Sequence, residues 1–349
     1  MEQHGPRPGK GAFVISIDAE LAWGWVFSGL EPSRYPHWDA YGRVRGAIDR
    51  LLLLMDRYEI RATWAVVGHL FLDGCGPADG RVHPEVLRPR YGWFGRDDWF
   101  YADPASSVEE APEWYGPDII RRIQAACVRH EIGSHSFSHM EMDGAAVTRE
   151  VFASDIEACM REAAGRGVVL RSFVYPKNRV AHTDVLAEKG FETYRSPGRE
   201  WFDGLPRPLW RVAHKLDAFL PVPPRAVRPE SVDGMAALPA SYYYRHRGGW
   251  ARRQPMWLRA LKMRMGLRRA AAQRSVFHLW FHPYDIATGT EAMLRPLESA
   301  FREAARLRDA GRLESLTMSE LAGEWSGALA QGPRGAGAVQ AAPGAVRSR

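Results

Sequence analysis

The apolar positions along the chain alternate between two periods. AFVISID (12–18) is a short apolar run that ends in charge, as a buried strand does. GRVRGAIDRLLLLMDRY (42–58) spaces its apolar residues three and four apart and predicts a helix, and RATWAVVG (61–68) is strand-like again and closes on Gly. The rhythm resumes with a helix over PDIIRRIQAACVR (117–129), where Pro117 suits a first helical turn, and the strand HEIGSH (130–135). It continues through a helix near 146–165, the strand SFVYP (172–176), a helix over VAHTDVLAEKG (180–190) and the strand FETYR (191–195). Last come the strand SVFHLWF (275–281), an amphipathic helix from about Thr290 to Arg308, the short strand LESLTM (313–318) and a terminal helix. Regular βα alternation predicts parallel strands with helices outside, as a barrel or a doubly wound sheet.

Two stretches break the rhythm and read as insertions. The first, about 71–116, sets Trp93, Phe94, Trp99, Phe100, Tyr101, Trp114 and Tyr115 among Asp97, Asp98, Asp103 and Glu109, which is too aromatic for disorder. The second, about 204–274, contains MWLRALKMRMGLRR, predicted as a helix with Leu258, Leu261 and Met265 on one face and Arg259, Lys262 and Arg269 on another. From Ser326 to the end, Gly, Ala and Pro dominate, and 326–349 reads as a disordered tail after a domain spanning 1–325.

Composition narrows the class. The 349 residues are 46% hydrophobic and 25% charged, which suits a soluble globular protein with a sizeable core. No window is apolar for long enough to span a membrane, and MEQHGPRPGKGAFVIS lacks the apolar stretch and cleavage site of a signal peptide, so the expected compartment is the cytoplasm. Only three cysteines occur, Cys75, Cys127 and Cys159, at unpatterned spacing; any metal is expected on His and carboxylate. The net charge of +6 is concentrated, with ten Lys or Arg and no acid between Arg245 and Arg274. That run reads as a solvated helix face, or as a patch for phosphate, an anionic membrane or, more weakly, nucleic acid.

In an α/β fold the chemistry lies at the C-terminal strand ends. Those ends carry Asp18 and Glu20; His135 and His139; Tyr175, Pro176, Lys177 and Asn178; and His278, His282 and Asp285. If the chain makes a helical turn after its strand, His135 and His139 project to one side and can share a metal. A carboxylate would complete a site for hydrolytic zinc or non-haem iron.

In order along the chain stand SIDAE, ATWAVVG, HSFSH after HEIG, FVYPKN, GFETYRSP and HLWFHPYD. Together they resemble the polysaccharide deacetylases of the NodB-homology type, carbohydrate esterase family 4, over residues 12–325. The resemblance implies a distorted (β/α) barrel, here with the two long insertions. It also implies a metal-dependent hydrolase that removes an N-acetyl or other N-acyl group from an amino sugar or glycoconjugate by metal-activated water. It makes His135 and His139 ligands of one divalent metal ion, zinc first, with cobalt or nickel as alternatives. The family pattern has two adjacent aspartates, whereas Ala19 follows Asp18 here. The spacing is similar to that of the peptidoglycan-deacetylase and allantoinase branches. Residues i and i+2 of an extended chain point the same way. Glu20 is therefore assigned as third ligand and Asp18 as general base, with the exchange of these roles open.

His282 is the candidate general acid, oriented by a neighbouring acid. The resemblance places the oxyanion at a backbone N–H beside Tyr175, Pro176 and Lys177. It also implies an arginine that positions the aspartate, a role neither Arg171 nor Lys177 fills clearly. Trp280, on the His282 side of its strand, is the better candidate for an acyl-methyl pocket, and Trp201, Trp99 and Trp114 are candidates to stack on sugar rings. A cytoplasmic enzyme points to an N-acylated sugar, a sugar nucleotide or a lipid-linked sugar at the inner membrane face. The alternatives are a cyclic-amide or formamide hydrolase of the same fold, and a non-catalytic carbohydrate-binding homologue.

Overall fold

A computed structural model describes residues 9–36 and 38–330. In chain order its elements are β1 (Gly11–Ala19), α1 (Trp38–Tyr58), β2 (Thr63–Val66), α2 (Pro117–Gln124), β3 (Glu131–Ser134) and α3 (Arg149–Gly165). Then follow β4 (Ser172–Val174), α4 (Thr183–Glu188), β5 (Thr193–Ser196), α5 (Arg207–Asp217), β6 (Glu230–Val232), β7 (Met235–Pro239) and β8 (Tyr242–Tyr243). The chain ends with α6 (Met256–Gln273), β9 (Val276–Phe281), α7 (Pro283–Ala287), α8 (Thr290–Asp309), β10 (Leu313–Leu316) and α9 (Met318–Ala330). The expected strands and helices all form, with ends displaced by a few residues; α2, for example, stops at Gln124. Residues 326–330, expected to open a disordered tail, form the last turn of α9, and the rest of that tail lies outside the described residues.

The strands run β6-β7-β5-β4-β3-β2-β1-β9-β8, with β10 also on β1. All pairings are parallel except the β6–β7 hairpin. Every residue of β1 is buried, which explains why a mostly apolar run rather than an alternating one encodes it: helices cover the outer face and the ring's own side chains fill the inner one. Helix α1 supplies part of the outer layer through Val44, Ile48, Leu51 and Met55, three or four residues apart.

The segment 204–274 corrects the sequence reading. It is not simply inserted, because β7 pairs with β5 while β8, only a few residues on, pairs with β9. One extended run thus links the two ends of the curled sheet and completes a distorted barrel. Short strands interrupted by Pro and Gly carried no clear period, which hid them. Helix α6 differs too: Met263 and Leu267 are buried with Leu258, and so are Arg259 and Lys262. The ammonium of Lys262 reaches the Asp217 carboxylate at 2.6 Å, and Arg259 donates to the Ala251 carbonyl at 3.2 Å. Arg268 pairs with Glu303, and Arg269 donates to the carbonyls of Pro223 and Pro224. Arg259 and Lys262 of the basic run are therefore committed inside the fold, while Arg268 and Arg269 are engaged nearer its surface. Among the described residues no helix is long and apolar enough to cross a membrane.

Candidate active site

At the C-terminal ends of β1, β3 and β9 the expected groups meet. The Glu20 carboxylate stands 3.3 Å from His135 Nε2 and 3.0 Å from His139 Nε2, both on Oε2, while Oε1 is 3.5 Å from His282 Nε2. Glu20 is not on the strand, as the i, i+2 reasoning assumed. It has helical backbone angles and opens the 3₁₀ turn Leu21–Ser28, which brings its side chain back beside Asp18. Gly24 makes room for it, since a Cβ there would collide with the Glu20 carboxylate. Gly24→Ala is therefore expected to displace that carboxylate and weaken metal retention tenfold or more, with little loss of stability, read by metal content after dialysis against a weak chelator; unchanged retention would count against the role of Glu20.

The turn between the two histidines is not helical. His135 directly follows β3, Ser136 and His139 take left-handed φ values of 66° and 56°, and the ring centroids stand 5.0 Å apart. Asp155, from α3, holds this shape: its buried carboxylate accepts the Ser136 and Ser138 hydroxyls and the N–H groups of Phe137 and Ser138. Sequence reasoning passed over Asp155, which sits inside an ordinary amphipathic helix.

The donor set fits a divalent cation. His135 Nδ1 lies 2.8 Å from the Val174 carbonyl, which can only accept, so Nδ1 carries a hydrogen and Nε2 is the atom turned towards Glu20. Burial pushes the His139 imidazole down to about 4, so it is a neutral donor, and its buried Nδ1 has no partner among the described residues. Burial pushes the Glu20 carboxyl up, but the neighbouring His282 and His139 outweigh it and hold the group well below the usual carboxylate range. Two imidazole nitrogens and one ionised carboxylate converge with open positions, as at catalytic zinc sites.

Beside this cluster, Asp18 is almost fully buried and bound bidentately by Arg195, with both oxygens at 2.7 Å. Burial raises the Asp18 carboxyl, yet the Arg195 guanidinium prevails and keeps it ionised. Arg195, from β5, also donates to Ser16 and Asn178 and stacks 4.3 Å over Trp280. An arginine thus does hold Asp18, but it lies in GFETYRSP, on the strand after FVYP, and not beside FVYP itself. On the far side, His282 Nδ1 is 2.8 Å from Asp285. Burial opposes charging His282, but Glu20 and Asp285 raise it to about 9. Asp285 further accepts the His246 N–H at 2.8 Å and the Tyr243 hydroxyl.

The remaining expected contacts divide. Trp280 shares the His282 face, ring centroids 5.7 Å apart, and stacks on Tyr243 at 4.1 Å. Lys177 has a left-handed φ of 55° and sets its ammonium 3.4 Å over Phe27, where burial pushes its pKa down. The Tyr175 side chain turns away: its ring packs on Phe173 and Tyr194, and its hydroxyl donates to the Ala181 carbonyl. Trp99 and Trp114 are buried within 71–116 and cannot stack on a sugar. Trp201 is half exposed on a cavity of about 310 Å³ that it shares with Tyr242, Tyr243, Arg245 and Lys262. Tyr243 connects this cavity to His282.

Residues 38–193 match the family model described as polysaccharide deacetylase. The match includes His135, His139 and Lys177 but begins after Asp18 and Glu20. Among solved structures, a Mycobacterium smegmatis protein assigned to the polysaccharide deacetylases aligns at TM-score 0.58 and 17% identity, covering 97% of this chain and 99% of that one. The Puue allantoinase aligns at TM-score 0.54 and 14% identity, covering 93% and 95%. A Bacillus anthracis pseudoenzyme of carbohydrate esterase family 4 aligns at TM-score 0.42 and 11% identity, covering 91% and 67%, too distant to bear on activity. No curated protein matches the chain.

Proposed function

We propose that this chain, which carries a polysaccharide deacetylase domain over residues 38–193, is a hydrolase that removes an N-acetyl or similar N-acyl group from an amino sugar or glycoconjugate, with the catalytic unit spanning 1–325. The observation that carries the reading is the Glu20–His135–His139 cluster flanked by the ionised Asp18–Arg195 pair on one side and the His282–Asp285 pair on the other. Glu20, His135 and His139 would hold one divalent metal, zinc in the first place. Such an ion, when bound, acidifies water and polarises an amide carbonyl.

The protein's own groups manage the protons. A carboxylate has about four lone-pair sites and Arg195 uses two, which leaves Asp18 able to take the proton of water as its oxygen adds to the acyl carbon. His282, held protonated by Asp285, gives its proton to the nitrogen as the C–N bond breaks, so the products are a carboxylic acid and a free amine. A backbone N–H beside Pro176 and Lys177 would receive the oxyanion; Pro176 has none to give. Trp280 would wall the acyl methyl, and Trp201 would offer its face to a sugar ring in the adjoining cavity.

The test assays purified protein, reloaded with zinc or cobalt, for equal release of acetate and free amine. Its substrates are N-acetylated amino sugars, their oligomers and their nucleotide-linked forms, with cyclic amides in parallel because of the likeness to an allantoinase. Acetate and amine in equal amounts, lost together with one metal equivalent in His139→Ala, are expected. Turnover of the cyclic amides alone would transfer the site to that chemistry, and no turnover of either class would overturn the hydrolase.

A further inference from the structure

A second set of metal-binding side chains lies outside this site. His69 stands in the 3₁₀ turn Gly68–Phe71 that follows β2, and Cys75, His83 and Asp103 come from the aromatic segment 71–116. One ligand atom from each lies within 4.8 Å of all the others. His69 Nε2 is 3.1 Å from Asp103 Oδ2 and 3.6 Å from Cys75 Sγ. His83 Nε2 meets the same Asp103 oxygen at 3.1 Å, and Cys75 Sγ lies 3.3 Å from Asp103 Oδ1. The His69 and Asp103 side chains have no solvent exposure, and that of His83 has 8%.

His69 Nδ1 sits 3.1 Å from the Trp114 carbonyl, which can only accept, so Nδ1 carries a hydrogen and Nε2 is the atom turned to the cluster. Two imidazole nitrogens and a thiol sulfur thus converge on one buried carboxylate, a donor set of the kind that holds zinc. Tetrahedral zinc, with bonds of about 2.0–2.3 Å to N, O and S, sets its ligands about 3.4 Å apart, near the separations of 3.1 Å to 3.6 Å found here. The outer contacts suit a metal as well: the Trp114 carbonyl fixes the His69 tautomer, and the Tyr115 hydroxyl lies 3.2 Å from Cys75 Sγ.

We propose that His69, Cys75, His83 and Asp103 form a second, structural site for a divalent metal of the zinc class, which clamps the aromatic segment onto the catalytic turn. Four protein ligands leave no open position, so the ion takes no part in chemistry. Its place explains its use: Phe137, between the two catalytic histidines, lies 5.0 Å from the His83 ring, and Trp99 of the same segment donates to the Ser138 carbonyl at 3.0 Å. The expectation that metal falls only on His and carboxylate is set aside here, because Cys75 joins ligands that no regular spacing unites. Loading displaces the Cys75 thiol proton to solvent.

The test loads the full-length protein with cobalt and counts metal while recording thiolate-to-cobalt charge-transfer absorption. Of the two clusters only this one contains sulfur, so the band separates them, and Cys127→Ser, which removes the exposed free thiol, should keep it. Two equivalents per chain with the band are expected in the wild type. His139→Ala should keep the band with one equivalent. Cys75→Ser and His83→Ala should each bind one equivalent, Cys75→Ser without the band. A wild-type cobalt protein that lacks the band, or a band that survives in Cys75→Ser, would overturn the site. The wild-type spectrum decides even where a variant does not fold, and loss of the other equivalent alone would count against the catalytic cluster, not this one.

Discussion

Asp18→Asn is expected to lower kcat by about 10²–10⁴-fold, the range typical of a lost general base, with KM and metal content near wild type. The amide keeps the size of the side chain and an acceptor for Arg195, but it cannot take a proton. Glu20→Gln should behave differently, losing metal together with activity, because Glu20 and not Asp18 faces both imidazoles. Acetate release and metal analysis on the two variants separate the roles. Should Asp18→Asn shed the metal while Glu20→Gln keeps it, ligand and base change places; should Asp18→Asn retain activity within a few-fold, Asp18 is not the base.

Arg195→Met should cost about 3–5 kcal/mol of stability, the penalty for leaving one member of a buried ion pair behind. Asp18 and Arg195 are both almost inaccessible to water, and the bidentate contact at 2.7 Å is what keeps Asp18 charged in the barrel interior. Without the guanidinium, burial prevails and the Asp18 pKa rises, so the variant loses the base as well as stability. The double variant Asp18→Asn/Arg195→Met should recover a good part of the stability and none of the activity, because it buries no lone charge. Denaturant unfolding of the four proteins of this cycle measures the coupling. A loss below about 1 kcal/mol in Arg195→Met would show the pair to be energetically idle, in the manner of a solvent-exposed ion pair.

The parts of this protein that were legible in its sequence are those encoded within a few residues. The apolar runs of β1 and β9, the three-and-four spacing of α1 and the polar residues at strand ends depend on which face of an element meets the core, and period alone records that. His135, His139, Glu20 and His282 could be named because each ends a recognisable strand or follows it closely. Tertiary structure decided what depends on distance in space. The left-handed turn at Ser136 and His139 exists because Asp155 of α3 reaches under it. Arg195 meets Asp18 because β5 and β1 face each other across the barrel interior, 177 residues apart in the chain. The strands between 230 and 243 are too short and too broken by Pro and Gly to carry a period, and only their pairing with β5 and β9 makes them part of the barrel. His69, Cys75, His83 and Asp103 have no common spacing, since a long aromatic segment rather than one element brings them together. Local pattern registers burial; which charges and lone pairs share one buried point is set by how the chain folds back on itself.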